Sequence, residues 1–236
     1  MNKFTLLNVA LCFILTSCQP PKEKQKIRTL VVFFDGLRPD YITPETMPNL
    51  YAFSKSGSYG KQHHSIFPTV TRVNGSSFSS GSYPATNGVM GNSVYFPSVD
   101  KANGLSTGDY KNLFKITERM MVFSSGSTGQ AMMQNHTVSG GAIINPDLIL
   151  PEDFKETVVQ EIGDIPEDGH PDTAQHKWIT DALIQYGFAS DSPLVSSIWF
   201  SDPDGTAHSD GIGAPSSMKS IQIVDAEFGR ILSFLK

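Results

Sequence analysis

Cysteine is nearly absent: among 236 residues only Cys12 and Cys18 occur, both in the first eighteen positions. No cysteine follows Cys18, so no disulfide can form within residues 28–236. Charge is also sparse, at 17% of residues, and basic residues do not outnumber acidic ones, which leaves a net charge of −5. This balance gives no electrostatic reason to expect nucleic acid or an anionic membrane surface as a partner. Long apolar runs are missing too. The longest, Leu6 to Leu15, is too short to span a bilayer. No internal repeat is visible. The Gly/Ser-rich stretch Ser124–Gly129 lacks the Gly-Lys-[Ser/Thr] ending of a phosphate-cradling loop and reads as a strand-to-helix turn.

What is present divides into a leader and a domain. Lys3 precedes the apolar stretch, and Leu15-Thr16-Ser17-Cys18 follows it, the layout of a secretory signal. Those four residues resemble a bacterial lipobox, which implies cleavage after residue 17 and a lipid on the Cys18 thiol. Residues 18–27, rich in Gln, Pro, Lys and Glu, then form a tether. The expectation is a lipid-anchored protein of the bacterial cell envelope, periplasmic or surface-facing. Residues 28–236, with most of the chain's fifteen Phe and seven Tyr, read as one packed domain.

Within that domain Leu30 to Phe34 is an unbroken apolar run that ends in Asp35-Gly36. Such a run predicts a strand buried on both faces of a parallel sheet. Its terminal acid is either a cap for the next turn or a group facing the crevice at the carboxyl edge. Leu194 to Phe200 reads as a second buried strand. Helices are predicted from Met47 through Ser56, from Thr71 to Ser80, from Leu113 to Met120, from Thr173 to Tyr186, and from Ser217 to Lys236. The last carries an apolar stripe through Ile221, Val224, Phe228, Ile231 and Leu235. Strand character is expected over Tyr59–Phe67, Val94–Phe96 and Met121–Ser124, and a short helix with an acidic loop over Pro151–Gly169. Alternating strands and helices predict an α/β fold with a mainly parallel sheet covered on both faces. The chain stops at Lys236 inside an amphipathic helix, so the sequence reads as the N-terminal portion of a longer, C-terminally incomplete domain.

Besides Asp35, two segments carry candidate chemistry. Thr71 is either an N-cap or a hydroxyl nucleophile at a helix N-terminus, where orphan N–H groups attract phosphate. Asp204 and His208 stand four apart, so one turn of helix brings a carboxylate and an imidazole to one ion; the alternative is a solvated loop.

Taken with Phe67-Pro68-Thr69-Val70-Thr71, Gly81 to Asn92 and Asp204 to His208, the Phe34-Asp35-Gly36 segment resembles the nucleotide pyrophosphatase/phosphodiesterase family. That family belongs to the alkaline phosphatase superfamily, and the resemblance spans about Arg28 to Lys236. It implies an alkaline phosphatase-like α/β/α sandwich and hydrolysis of phosphodiester or nucleotide pyrophosphate bonds through a phospho-threonine. A phosphomonoesterase or phosphonate hydrolase, or a lipoprotein that binds a ligand without catalysis, are the alternatives. Sulfatase chemistry is disfavoured, for want of a modifiable cysteine or serine motif near Thr71.

Two Zn2+ ions are implied in the complete protein. Asp35 and Thr71 would serve one, and Asp204 and His208 the other. Thr71 would be the nucleophile, Asn92 would hydrogen-bond a phosphoryl oxygen, and Trp199 would stack on a nucleobase. The expected partner is a small phosphorylated substrate, a nucleotide among the candidates. Three departures stand out: Arg72-Val73-Asn74 replaces Phe-Pro-Asn, Thr86-Asn87 stands where a histidine often precedes the glycine, and further zinc ligands lie beyond Lys236 in the family. Arg72 is therefore a candidate contact for a phosphate or carboxylate. The missing ligands imply weak metal binding and impaired turnover in these 236 residues. His63, His64, His136, His170 and His176 are expected to be surface or packing residues.

Overall fold

The computed structural model describes residues 27–109, 111–112, 127–128, 131, 141–190 and 192–236. The lipidation site at Cys18, His136, the helix expected at Leu113–Met120 and the strand expected at Met121–Ser124 lie outside the described residues. So does most of the Gly/Ser-rich turn.

Two parallel strands, β1 (Thr29–Phe34) and β6 (Val195–Phe200), pair in register from Thr29 opposite Val195 to Phe34 opposite Phe200. Side chains alternate between faces along each strand. One face presents Phe34 and Phe200, stacked at 5.6 Å, with Phe228 of the long helix α7 (Pro215–Phe234) set edge-on to Phe34. The other presents Phe33 and Trp199, covered by Phe78 and Gly75 of α2 (Thr71–Ser80). Helices on both faces of a parallel pair make the layered α/β/α arrangement that the sequence predicts.

The first face also packs on α5 (Thr173–Ala182), which continues as a π turn over Leu183–Gly187 and buries Trp178 and Ile179. Strand β1 is half-buried rather than buried, because among the described residues its sheet holds only these two strands. Helix α1 (Pro48–Ser56) sits against α7. The buried Asp225 carboxylate accepts hydrogen bonds from the backbone N–H groups of Asn49 and Leu50 at 3.0 and 2.8 Å, satisfying donors that a helix start leaves open. One-turn α3 (Pro84–Asn87) follows α2, and two short hairpins follow: β2 (Ser93–Val94) with β3 (Leu105–Ser106), and β4 (Ile143–Asn145) with β5 (Leu148–Leu150). Helix α4 (Phe154–Ile162) matches the short helix expected after Pro151. No described helix is long and apolar enough to cross a membrane.

One expected strand is not formed. Residues Tyr59–Phe67 are irregular, and the backbone of Ile66 near the end of the segment bonds to a side chain instead of a neighbouring strand. The Asn74 amide accepts from Ile66 N–H at 2.7 Å and donates to the Ile66, Pro68 and Val70 carbonyls. That amide fixes the loop which delivers Thr71. The strand expected at Val94–Phe96 is confined to Ser93–Val94.

Candidate active site at the carboxyl edge of the sheet

Where β1 ends, the Asp35 N–H donates to the Phe200 carbonyl at 3.0 Å, carrying the ladder one residue past the strand. The chain then turns sharply at Gly36, with φ at +71°. The Asp204 N–H donates back to the Asp35 carbonyl at 3.1 Å, so the segments after β1 and β6 are tied together. A Cβ on Gly36 would lie 2.9 Å from the Asp204 Cα. Gly36→Ala combines a left-handed backbone, which costs about 1–2 kcal/mol in an L-residue, with a backbone collision. The variant is expected to lose at least about 2 kcal/mol of stability, read from the urea midpoint.

Thr71 is the first residue of α2, not its cap. Val70 takes the cap position with extended backbone and makes no side-chain cap bond. The Thr71 hydroxyl is turned instead to the strand end, where it donates to Asp35 Oδ1 at 3.2 Å. The Arg72 N–H donates to Asn92 Oδ1 at 3.1 Å. This bond fixes the amide: the oxygen faces the helix and the Asn92 NH2 group remains to donate elsewhere. Asn92 is itself held by Thr107, whose hydroxyl donates to the Asn92 carbonyl at 2.9 Å.

Arg72 lies across this assembly. Its guanidinium donates weakly, at 3.4 Å each, to the Asn92 carbonyl and to Ser127 Oγ. It occupies a slot that exists because residue 108 is glycine; a Cβ there would collide with the guanidinium. The Arg72 Nε is buried with no hydrogen-bond partner among the described residues. Burial pushes the guanidinium below its ordinary pKa, while the Asp35 and Asp204 carboxylates pull it back up.

Asp204 opens the short helix α6 (Asp204–Asp210), and His208 lies one turn later, with Nε2 at 3.4 Å from Asp204 Oδ2. The acid at the N-terminus and the imidazole in the last turn both suit the helix dipole. Burial pushes Asp204 above the usual carboxylate range. Asp202 adds to that shift, and His208 and Arg72 oppose it. The His208 side chain is 80% exposed. Asp35, Thr71, Arg72, Asn92 and Asp204 are thus gathered at one edge of the sheet, with His208 at its rim.

Trp199 differs from its expected place. It is 6% exposed, stacked on Phe33 with ring centroids 4.4 Å apart, and its Nε1–H donates to Asp35 Oδ2 at 3.3 Å. β6 alternation puts residue 199 on the α2 side of the sheet, where Phe33 covers one ring face and the side chain as a whole is buried, so the indole is not presented as an open platform for a base.

Nothing in the sequence pattern singles out Asp202. Its carboxylate, 1% exposed, accepts from Thr206 N–H and Oγ1–H at 3.0 and 2.7 Å and from the Asp172 N–H at 3.1 Å. It also faces His176 Nε2 at 3.1 Å. Burial alone would raise this acid, but the bonds from His176 and Thr206 outweigh it and hold it at about 2. His176 is a buried packing residue, and His170 pairs with Asp210 at 3.6 Å on the surface. His63 and His64 are exposed.

The donor chemistry suits zinc in kind: carboxylate and hydroxyl at Asp35–Thr71, carboxylate and imidazole at Asp204–His208. In number it supplies two donors on each side. Among the described residues no three His, Cys, Asp or Glu side chains converge as a metal cluster.

The sequence pattern of the type I phosphodiesterase/nucleotide pyrophosphatase family matches residues 29–236. The chain belongs to that family. It is 24% identical over 227 residues to the rat ectonucleotide pyrophosphatase/phosphodiesterase family member 1, covering 95% of this chain and 24% of the relative. Among solved structures, an inactive variant of murine ectonucleotide pyrophosphatase/phosphodiesterase 5 in complex with AMP superposes with a TM-score of 0.60 at 17% identity, covering 89% of this chain and 52% of that one. The phosphonoacetate hydrolase of Sinorhizobium meliloti, in complex with phosphonoformate, also gives 0.60, at 19% identity, covering 89% of this chain and 54% of that one. These likenesses establish the alkaline phosphatase-like α/β/α fold. The chain spans about a quarter of the length of that curated relative and about half of each of those solved chains.

Proposed function

We propose that the family member to which this chain belongs hydrolyses phosphodiester or nucleotide pyrophosphate bonds, with Thr71 as nucleophile. The observation that carries this reading is the Thr71 hydroxyl. It stands at the N-terminus of a ten-residue helix and is aimed at the strand-end carboxylate of Asp35, at 3.2 Å. Asp35 Oδ1 accepts the Thr71 proton and so turns an oxygen lone pair toward the substrate. The positive end of the α2 dipole and the NH2 group of Asn92 hold the phosphoryl oxygens. Thr71 Oγ1 bonds to phosphorus as the bond to the leaving-group oxygen breaks. Water then attacks the phosphorus as the bond to Thr71 Oγ1 breaks; Oγ1 takes back the proton from Asp35, and the proton that the water loses passes to solvent. Asp35 and Thr71 would hold one zinc ion, and Asp204 and His208 a second. When bound, such ions lower the pKa of a hydroxyl and neutralise charge on the phosphoryl oxygens.

With two donors per ion among the described residues, zinc affinity and turnover of the 236-residue chain are expected to be low. The test is therefore made with enzyme in excess over a bis-nitrophenyl phosphodiester and added zinc. Slow nitrophenol release that disappears in Thr71→Ala agrees with the reading; release that persists in that variant overturns it. Residues 1–17 are read as the signal, and Cys18 as the lipid anchor to the cell envelope; globomycin-sensitive palmitate labelling, lost in Cys18→Ser, tests this.

A second reading is favoured by Arg72. A guanidinium this buried, without a carboxylate in ion-pair contact among the described residues, calls for an anion. This suits a phosphomonoester or phosphonate that carries a second negative group, as phosphonoacetate does. Arg72→Ala is expected to raise KM for phosphonoacetate by about 10- to 100-fold, as loss of a hydrogen bond to a charged group would. KM for the nitrophenyl diester should change little. Equal losses on both substrates would assign Arg72 to packing instead.

A further inference from the structure

We propose that Trp199 is a positioning residue that fixes the Asp35 carboxylate and the height of the nucleophile helix together. Its indole N–H is bonded to Asp35 Oδ2 at 3.3 Å, while the other oxygen, Oδ1, receives the Thr71 hydroxyl at 3.2 Å. Each carboxylate oxygen thus has its own donor, the indole N–H at Oδ2 and the Thr71 hydroxyl at Oδ1. The indole cannot swing away. It is stacked on Phe33, with an interplanar angle of 22°, and is buried to 6% exposure.

Its far edge carries the backbone of α2. A Cβ on Gly75 would lie 3.6 Å from the Trp199 ring, so the helix rests directly on the indole at the turn after Thr71. One rigid side chain therefore spaces the carboxylate from the hydroxyl that it orients. Strand parity explains why this residue does so: Phe33 and Trp199 are register partners, and Asp35, two residues after Phe33, falls on their face. A donor to a metal-ligating carboxylate typically changes metal affinity by about 10- to 100-fold.

This inference rests on the reading of Asp35 as a zinc ligand, and its test separates the two. Zinc alone is titrated calorimetrically into the 236-residue chain and into Asp35→Ala, His208→Ala and Trp199→Phe variants. Phenylalanine keeps the stack on Phe33 and removes the two contacts assigned to the indole, the N–H donor and the ring edge under Gly75. Trp199→Phe is expected to weaken the binding event lost in Asp35→Ala by about tenfold or more. It should leave the event lost in His208→Ala within twofold. Equal weakening of both events would mark a merely structural role and overturn the inference. An Asp35 event unchanged in Trp199→Phe also overturns it, with the ligand reading intact. Zinc binding that is unaltered in Asp35→Ala removes the ligand reading and the inference with it. Should Trp199→Phe fail to fold, the two indole N–H resonances of the native chain decide. Asp35→Asn is expected to shift one and spare that of Trp178, which donates to the Gly163 carbonyl at 3.1 Å; two unshifted resonances contradict the contact.

Discussion

Thr71→Ala is expected to abolish turnover, by roughly 10^4-fold or more, because loss of a nucleophile leaves only binding and electrostatic stabilisation. The fold should not be the cause. The Thr71 hydroxyl caps nothing: the cap position belongs to Val70, and the loop before it is held by the Asn74 amide. Alanine is also the better helix former, so the unfolding free energy of the variant is expected to stay within about 0.5 kcal/mol of the native value. Thr71→Ser keeps an oxygen on the same Cβ and should retain measurable activity. An inactive Thr71→Ala that is also unfolded would remove the argument, and circular dichroism on the same sample distinguishes the cases.

Asp202→Ala is expected to be the most damaging of these changes to stability, at about 3–5 kcal/mol by denaturant unfolding. The carboxylate accepts from both donors of Thr206, from the Asp172 backbone and from His176, all within 3.1 Å. Removing it strands those donors in the interior beneath α6. Against a typical total of about 5–15 kcal/mol, such a loss leaves little margin. Helix α6 carries Asp204 and His208, so their pairing should loosen before the rest of the domain unfolds. The pH dependence has a definite sign. Asp202 is held at about 2, below the ordinary 3.8, so it stabilises the fold above about pH 4 and that contribution is lost as pH falls toward 2. Asp172 acts oppositely: burial, chiefly, pushes it up to about 6, so it favours the fold less as pH rises from about 4 to 6. Acid unfolding between pH 4 and 2 should therefore be blunted in Asp202→Ala.

How much of this was legible from the residues follows from the range of the interactions involved. The strand ending at Asp35, the helix from Thr71 to Ser80 and the amphipathic α7 are local patterns, and they stand where the sequence put them. Asp204 and His208 share a helix face because a spacing of four is itself local information. Tyr59–Phe67 has the composition of a strand, yet the N–H and carbonyl of Ile66 bond to the side chain of Asn74, which lies outside that segment. Asp202 was invisible for the same reason: its partners, at Asp172 and His176, are 30 and 26 residues away. The resemblance implies a base-stacking Trp199, while its own strand points to a buried place beside Asp35. Pairing Phe33 with Trp199 in a parallel register puts the indole beneath Asp35 by alternation alone. Arg72 was noticed as a departure, but the slot at Gly108 that receives it depends on a contact 36 residues distant, which only the folded chain supplies.

The central claim is that the Thr71 oxygen attacks phosphorus. The most direct measurement is acid quenching of the chain, in excess over a nitrophenyl phosphodiester with zinc, followed by peptide mass spectrometry. A phosphoryl-ester adduct on Thr71 that accumulates and decays with product release is the predicted result. Nitrophenol release with no adduct on Thr71, or with undiminished rate in Thr71→Ala, would contradict it.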